Sequence, residues 1–212
     1  MKASSFLGTF PVVLALLGLP ACSTPQSDPD VTAALAPFVL TALPDDAQTT
    51  FADFGGKLHL VGWSSSAEGV APPGSVINLK LYWKVVSPLE PGWGLFTHLI
   101  DDHGRRVRNF DDAGPFRKWL LSKPNEGLAL VQPDTLIVDE ETLEMPKANE
   151  LTPEVSLIVG AWKDDGQPQS PGFRLPVVSG TSDNHDAVLL AHYKTGVVRP
   201  GLAMARQFHG HP

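Results

Sequence analysis

The residues best suited to chemistry in this sequence are His98 and the carboxylates that follow it. His98 lies in an alternating apolar segment, with Asp101 and His103 just after it and Asp111 across a presumed hairpin. Histidine and carboxylates can hold a metal or transfer protons. His98 is nevertheless flanked on its own face of the strand by two large apolar side chains, and a buried imidazole needs a hydrogen-bond acceptor. We therefore predict that His98 and Asp111 form a buried polar pair with a structural role.

Motifs for a nucleophile or a cofactor are weak. The sequence contains no Gly-x-Ser-x-Gly elbow and no glycine-rich phosphate loop. Residues 101–104 fit a tight turn better than a calcium loop, because the Asp-x-Asp-x-Asp-Gly spacing and a closing glutamate are missing. A glycosidase would need two carboxylates that act together, such as Asp139 with Glu141. We expect a protein that is not an enzyme and that needs no metal and no cofactor.

Tryptophans are the other candidates for contact with a ligand, and the chain has five. Trp83 falls on the apolar face of an alternating segment and is predicted to be core. Trp93 is flanked by glycines, and Trp119 lies in a short helical insert. These two are the best candidates for an exposed surface that stacks on sugar rings, whereas packing in the core is the alternative.

The only cysteine, Cys22, follows a charged start at Lys2 and a short apolar segment. This arrangement is typical of a secretory signal, and the apolar segment is shorter than the roughly 20 residues that span a bilayer. The sequence Leu19-Pro20-Ala21-Cys22 resembles the lipobox of bacterial lipoproteins. That resemblance implies removal of residues 1–21, acylation of Cys22 and anchoring in a bilayer. Ser23, rather than an aspartate, favours the outer membrane under the known sorting rule.

Charge excludes one class of function. The chain carries a net charge of −7, with acidic residues scattered along it. A protein that binds nucleic acid generally needs a basic face. We therefore expect no nucleic-acid partner.

The organisation of the chain predicts a single all-β domain. Residues 22–53 form a polar tether and lead-in, residues 54–195 form the domain, and residues 196–212 form a loose tail. Period-two alternation in residues 76–85 places Ile77, Leu79, Leu81, Trp83 and Val85 on one buried face. Further strands are predicted at 58–63, 95–100, 106–110, 135–139, 155–162, 173–178 and 187–193, with a helical insert at 116–121. Strands at this spacing indicate an immunoglobulin-like antiparallel β-sandwich.

Four stretches resemble a β-sandwich domain of bacterial membrane glycosyltransferases. They are Leu58 to Trp63, Pro73 to Lys84, Leu95 to Arg105, and Val159 to Trp162 followed by Arg174-Leu175-Pro176. The resemblance is to the domain that follows the membrane-spanning part of enzymes similar to dolichyl-phosphate-mannose-type mannosyltransferases, and it covers about residues 54–193. This chain lacks that catalytic part, so the resemblance implies an accessory sandwich and not glycosyl transfer.

Together these observations predict a non-catalytic, lipid-anchored lipoprotein of the cell envelope. Its expected work is binding or scaffolding, with a glycan or an envelope protein as partner beside the bilayer itself. Two alternatives stay open. A hydrolase of envelope polymers would require a cleft with converging ionisable groups, and a structural spacer would have neither a cleft nor an aromatic patch.

Overall fold

The computed structural model describes residues 28–164, 172–181 and 185–198, and in them two antiparallel sheets pack face to face. The strands are β1 Val39–Leu40, β2 Gln48–Phe54, β3 Leu58–Ser65, β4 Val76–Val85, β5 Trp93–Asp101, β6 Arg106–Asn109, β7 Leu136–Glu144, β8 Glu154–Lys163, β9 Phe173–Arg174, β10 Val177–Gly180 and β11 Val188–Lys194. One sheet has the order β1-β7-β4-β3-β2-β10 and the other β11-β8-β5-β6, with β9 paired to β8. The all-β sandwich predicted from the alternation is confirmed.

The alternation in β4 sets the inner face of the larger sheet. Every second residue from Ile77 to Val85 is at most 1% exposed, and these side chains belong to one continuous apolar core. β4 is central because β3 pairs with one of its edges and β7 with the other. The facing sheet contributes Leu95 and Leu99 from β5 and alternate residues of β8.

Within the described residues, two helices accompany the sheets, α1 (Pro29–Leu35) and α2 (Pro115–Leu121), together with short 3-10 turns at Ala36–Phe38, Leu128–Leu130 and Ala148–Glu150. Proline at the first position of α2 suits a helix start, because its fixed φ is helical and no N–H is lost from the hydrogen-bond ladder. The loop before α2 is held against β7, where Thr142 N donates to Ala113 O at 3.0 Å. At Gly114 the fit is so close that a Cβ would lie 1.9 Å from the Glu140 carbonyl oxygen. α2 is therefore fixed at one point between the two sheets.

Several predicted boundaries differ from the structure. β2 and α1 lie inside the segment that was predicted as a lead-in, and β2 pairs with both β3 and β10. β7 continues to Glu144 rather than ending at Asp139. The single strand predicted at 173–178 is two short strands, β9 and β10, which join different sheets. The helical insert, predicted at 116–121, is α2. Immunoglobulin-like connectivity stays a prediction, and the signal segment, Cys22 and residues 199–212 lie outside the described residues.

Candidate functional site

A buried ionic cluster joins α2 to the two sheets. Arg117 of α2 donates from Nε to Asp139 Oδ2 at 2.6 Å and from Nη2 to Glu141 Oε1 at 2.6 Å. Nη2 also lies 3.0 Å from Thr97 Oγ1, and that hydroxyl donates to Glu141 Oε1 at 2.8 Å. Arg117, Asp139 and Glu141 are each at most 2% exposed. Because Asp139 and Glu141 are two residues apart on β7, both side chains point to the inner face of the sheet.

One guanidinium thus faces two carboxyl groups in an environment without water contact. Burial raises the pKa of Glu141 to about 8, with Arg117 opposing the rise and the Asp139 carboxylate adding to it. Burial also raises the pKa of Asp139, although Arg117 counteracts this. Because two carboxylates beside one cation repel each other, one proton stays in the cluster at neutral pH. We expect Glu141 to hold this proton, which makes the cluster electrically neutral.

Hydrogen bonding leaves some atoms of the cluster without partners. Arg117 Nη1, Asp139 Oδ1 and Glu141 Oε2 are buried and make no aligned hydrogen bond. A proton on Glu141 Oε2 suits the neighbouring Asp139 carboxylate, since the two groups interact directly. Arg117 Nη1 is different, because it can only donate. A buried donor without a partner costs free energy unless another group meets it.

His98 and Asp111 lie together just beside this cluster. His98 Nε2 is 3.3 Å from Asp111 Oδ1, but the ring is not well aligned for a hydrogen bond. Asp111 Oδ1 accepts from Thr97 N at 3.1 Å, and Oδ2 accepts from Asn109 Nδ2 at 2.8 Å. Burial raises the pKa of Asp111, but the contacts with His98, Thr97 and Asn109 outweigh it and bring the pKa below its usual value. Asp111 is therefore ionised at neutral pH and holds the turn after β6 against β5.

The side chain of Asp101, the first residue of the turn at 101–104, stabilises that turn by accepting hydrogen bonds from residues that follow it. Asp101 Oδ1 accepts from the backbone N–H of His103 and of Arg105, at 2.9 and 2.8 Å, and Oδ2 accepts from Arg105 Nε at 2.8 Å. Gly104 takes the positive φ of 76° that the turn requires. Both oxygens of Asp101 thus have partners within the protein. Within the described residues, no three His, Cys, Asp or Glu side chains converge in a way that could hold a metal ion.

A cavity of about 200 Å³ opens where α2 meets the start of β5. β6 pairs with β5 only at His98, Leu99 and Ile100. Ahead of these residues, Thr97 bonds to Phe110 and Asp111 of the turn after β6, and Trp93 bridges to Gly127 in the segment after α2. We call this space the α2–β5 cavity. Its lining comprises Gly92, Trp93, Gly94, Leu95, Asp111, Arg117, Leu120, Leu121, Pro124, Trp162 and Asp164.

The lining combines an apolar wall with few polar groups. Trp93, Trp162, Leu120 and Leu121 supply most of the apolar part of the lining. Trp93 Nε1 already donates to Glu90 Oε2 at 3.1 Å, so this residue offers only its ring. Arg117 is the one cation among the lining residues, and its Nη1 atom is buried away from solvent. Largely apolar concave sites with a small number of placed polar groups are typical of small-molecule binding.

Trp93 and Trp119 were expected to form an exposed surface, but the structure does not place them in that way. Trp93 was expected to be exposed, but it is only 8% exposed and is part of the core, because it is the first residue of β5 and pairs with Lys163 of β8. One side of it nevertheless lines the α2–β5 cavity. Trp119 is half-buried, stacks on Phe116 at 6.1 Å between ring centroids, and is not among the lining residues. The second tryptophan that lines the cavity is Trp162, which was not among the candidates from the sequence.

Two signals in the sequence point to the buried cluster, although the sequence analysis did not join them. Asp139 and Glu141 interrupt an otherwise apolar alternation that runs from Ile137 to Leu143. Arg117 interrupts an apolar helix between Phe116 and Leu120. A buried charge needs an opposite charge as its partner. Acidic residues within one apolar pattern and a basic residue within another are therefore candidates to form an ion pair.

The sequence matches no protein-family model and no curated protein with which it was compared. Among the helices of the described residues, none has the length and apolar character to cross a bilayer.

Proposed function

We propose that this protein is a non-catalytic, lipid-anchored binding protein of the cell envelope, and that it takes its ligand in the α2–β5 cavity. The observation that carries the binding function is a cavity of about 200 Å³ whose lining combines Trp93, Trp162 and two leucines of α2 with a small number of polar side chains. The lipid anchor is supported by the Leu19-Pro20-Ala21-Cys22 motif, and a pure spacer would have no use for such a cavity.

The buried carboxyl pair supports binding rather than hydrolysis. Asp139 and Glu141 have the raised pKa values of an acid–base pair, yet both are paired to Arg117 on the core side of α2. Their free oxygens, Asp139 Oδ1 and Glu141 Oε2, have no contact with solvent. General acid catalysis needs hydrogen-bond reach to the substrate. Their role in this proposal is to position Arg117 and to balance its charge.

Fluorine NMR of protein labelled with 5-fluorotryptophan tests the cavity as the binding site. All five tryptophans lie in the described residues, and each signal can be assigned with a Trp→Phe variant. When a mixed library of apolar, neutral polar, anionic and cationic fragments is added, we expect the signals of Trp93 and Trp162 to shift. The Trp63 and Trp119 signals should stay in place. A library that moves no tryptophan signal, or moves only Trp119, contradicts this site.

Replacement of Cys22 tests the anchor separately. In Cys22→Ala we expect the protein to leave the membrane fraction or to keep its signal segment, because no thiol remains to be acylated. Wild type treated with globomycin should behave in the same way. Fractionation on a density gradient followed by mass spectrometry of the mature N-terminus measures both. Unchanged membrane association of the variant would reject lipidation and leave the cavity proposal untouched.

A further inference from the structure

The chemistry of the α2–β5 cavity narrows the ligand to one class, and this inference rests on the proposed function. We propose that the cavity binds a small organic cation whose nitrogen is fully alkylated, the trimethylammonium head of a free solute. The properties that favour such a ligand are the aromatic surface of the cavity, the carboxylates in its lining, the hydrogen bonds that those carboxylates already accept, and its volume.

Two indoles reach the cavity from opposite faces of the smaller sheet. Trp93 lies on the core face of β5, together with Leu95. Trp162 of β8 pairs with Gly94, which belongs to the other face of β5. Because Gly94 has no side chain, the Trp162 ring lies close to the backbone there, and a Cβ on Gly94 would be 3.7 Å from Trp162 Nε1. A ligand in the cavity therefore meets two aromatic rings, and such rings attract a cation placed over their faces.

The charges of the lining favour a cation. Arg117 is the only cation among the lining residues, but it is only 1% exposed, and its guanidinium is paired with Asp139 and Glu141. Asp111 and Asp164 contribute carboxylates to the same lining. Burial raises the pKa of Asp111, but its polar contacts outweigh burial and keep the group ionised at neutral pH. A cation in the cavity is therefore attracted by these carboxylates, and an anion is repelled.

The hydrogen bonds of the lining favour a nitrogen without N–H donors. Asp111 Oδ1 already accepts from Thr97 N, and Oδ2 accepts from Asn109 Nδ2. A primary ammonium carries three N–H donors, and each needs an acceptor once it loses its water. A fully alkylated ammonium has none, and its methyl groups suit the apolar wall to which Leu120 and Leu121 contribute. Aromatic rings bind quaternary ammonium groups by the same cation–π attraction.

The volume of the cavity limits the size of the ligand. At about 200 Å³ it lies below the roughly 300–1,000 Å³ of cavities for drug-sized ligands. It therefore suits one compact head group. Because a phosphate attached to that head would be repelled by Asp111 and Asp164, a free solute fits better than a phospholipid headgroup.

Isothermal titration calorimetry with matched probes tests this ligand class. Choline carries the trimethylammonium head, and neohexyl alcohol has the same shape with a carbon atom in place of the nitrogen. Ethanolamine keeps the charge of choline but replaces its methyl groups with N–H donors. We expect choline to bind about tenfold or more tightly than both other probes. Phosphocholine represents a lipid headgroup; if it binds more tightly than choline, the trimethylammonium head stands, but the free solute is overturned as its source.

Variants tie that binding to the cavity. Trp162→Leu removes an aromatic ring and Asp111→Asn removes a charge, so each should weaken choline binding by about tenfold. Asp164→Asn neutralises an exposed carboxylate of the lining and should weaken binding by about threefold. Trp119→Leu and Glu68→Gln are the matched controls, because neither residue is among those that line the cavity, and both should keep wild-type affinity. Circular dichroism melts show whether each variant is folded, and Asp164→Asn keeps the charge testable if Asp111→Asn loosens the turn after β6.

The outcomes separate the ligand class from the proposed function. Neohexyl alcohol or ethanolamine binding as tightly as choline, with sensitivity to Trp162→Leu, overturns the alkylated cation and keeps the binding site. Fragments that shift the Trp93 and Trp162 signals while choline does not bind have the same meaning. Choline binding that none of the three cavity variants weakens overturns the site. Silence of both the probe panel and the fragment library overturns the binding function as well.

Discussion

Arg117→Met is expected to destabilise the fold by about 3–5 kcal/mol, because it leaves the Asp139 and Glu141 carboxyl groups buried without a cation. Methionine fills most of the arginine stem's volume, so loss of packing is a small part of the effect. Urea denaturation followed by tryptophan fluorescence measures the free energy of unfolding. The loss should shrink as the pH falls toward 4, since protonation then neutralises both carboxyl groups.

Two further variants isolate the charge effect of Arg117→Met. Lys80→Met breaks an ion pair of similar length, 2.7 Å to Glu140, but both partners are about half exposed. Exposed pairs contribute about 0–1 kcal/mol, so this variant should be close to wild type. The triple variant Arg117→Met, Asp139→Leu, Glu141→Leu removes the charges together and should recover much of the lost stability. If Arg117→Met and Lys80→Met cost the same at pH 7, the cluster does not hold α2 in place.

The local pattern of apolar and polar residues was sufficient to predict strands such as β4, whose own sequence determines which face is buried. In β4 every second side chain is apolar, and a pleated strand turns that spacing directly into a buried face. The same alternation places Tyr82 on the opposite face of β4, yet Tyr82 is only 2% exposed. Alternation identifies which residues share a face of the strand. Whether the other face is also buried depends on parts of the chain that are distant in sequence.

The end of β7 is a feature that the local sequence pattern could not predict. The run of acidic residues from Asp139 to Glu141 predicts the end of a buried strand, but the strand continues to Glu144 with Asp139 and Glu141 facing inward. Their inward direction is stabilised by Arg117, which lies 22 residues before Asp139. A buried charge is tolerated only with its partner, and a partner distant in sequence has no fixed spacing for a pattern to detect.

The candidate site was predictable only in part for the same reason. His98 and Asp111 belong to one hairpin, so their proximity follows from short-range pairing. The α2–β5 cavity instead depends on where α2 rests against a strand edge that β6 leaves uncovered. Trp93 was expected in or beside a loop because glycines flank it, and it is the first residue of β5, where it pairs with β8. Trp162 enters the cavity through that same pairing, opposite Gly94.

The free energy of unfolding is expected to fall as the pH rises from about 5 to about 8, and Glu141→Gln should remove most of that fall. Burial raises the pKa of Glu141 to about 8, with Arg117 opposing the rise and Asp139 adding to it. The unfolded chain releases this proton near its ordinary pKa of 4.5. Between these values the folded state binds more protons, so stability decreases with pH and levels off above about 8.

Glutamine is the appropriate replacement because it has the shape of a protonated glutamate. Its carbonyl can accept from Thr97 and Arg117, and its amide supplies a donor where a protonated glutamate would carry its proton. Each pKa unit corresponds to about 1.4 kcal/mol. The difference in unfolding free energy between wild type and Glu141→Gln should therefore change by a few kcal/mol from pH 5 to 8.5. Urea titrations at intervals from pH 5 to 8.5 measure that difference directly. Asp101 and Asp111, whose pKa values are lowered, contribute mainly at more acidic pH and cancel in the comparison.

Asp139→Asn distinguishes the two carboxyl groups. Asp139 is the charged partner of Arg117 Nε, so its amide variant should lose about 3–5 kcal/mol at pH 7, whereas Glu141→Gln should cost little there. If Asp139→Asn flattens the pH profile and Glu141→Gln unfolds the protein, the proton belongs to Asp139. If neither variant changes the slope, the cluster holds no shared proton.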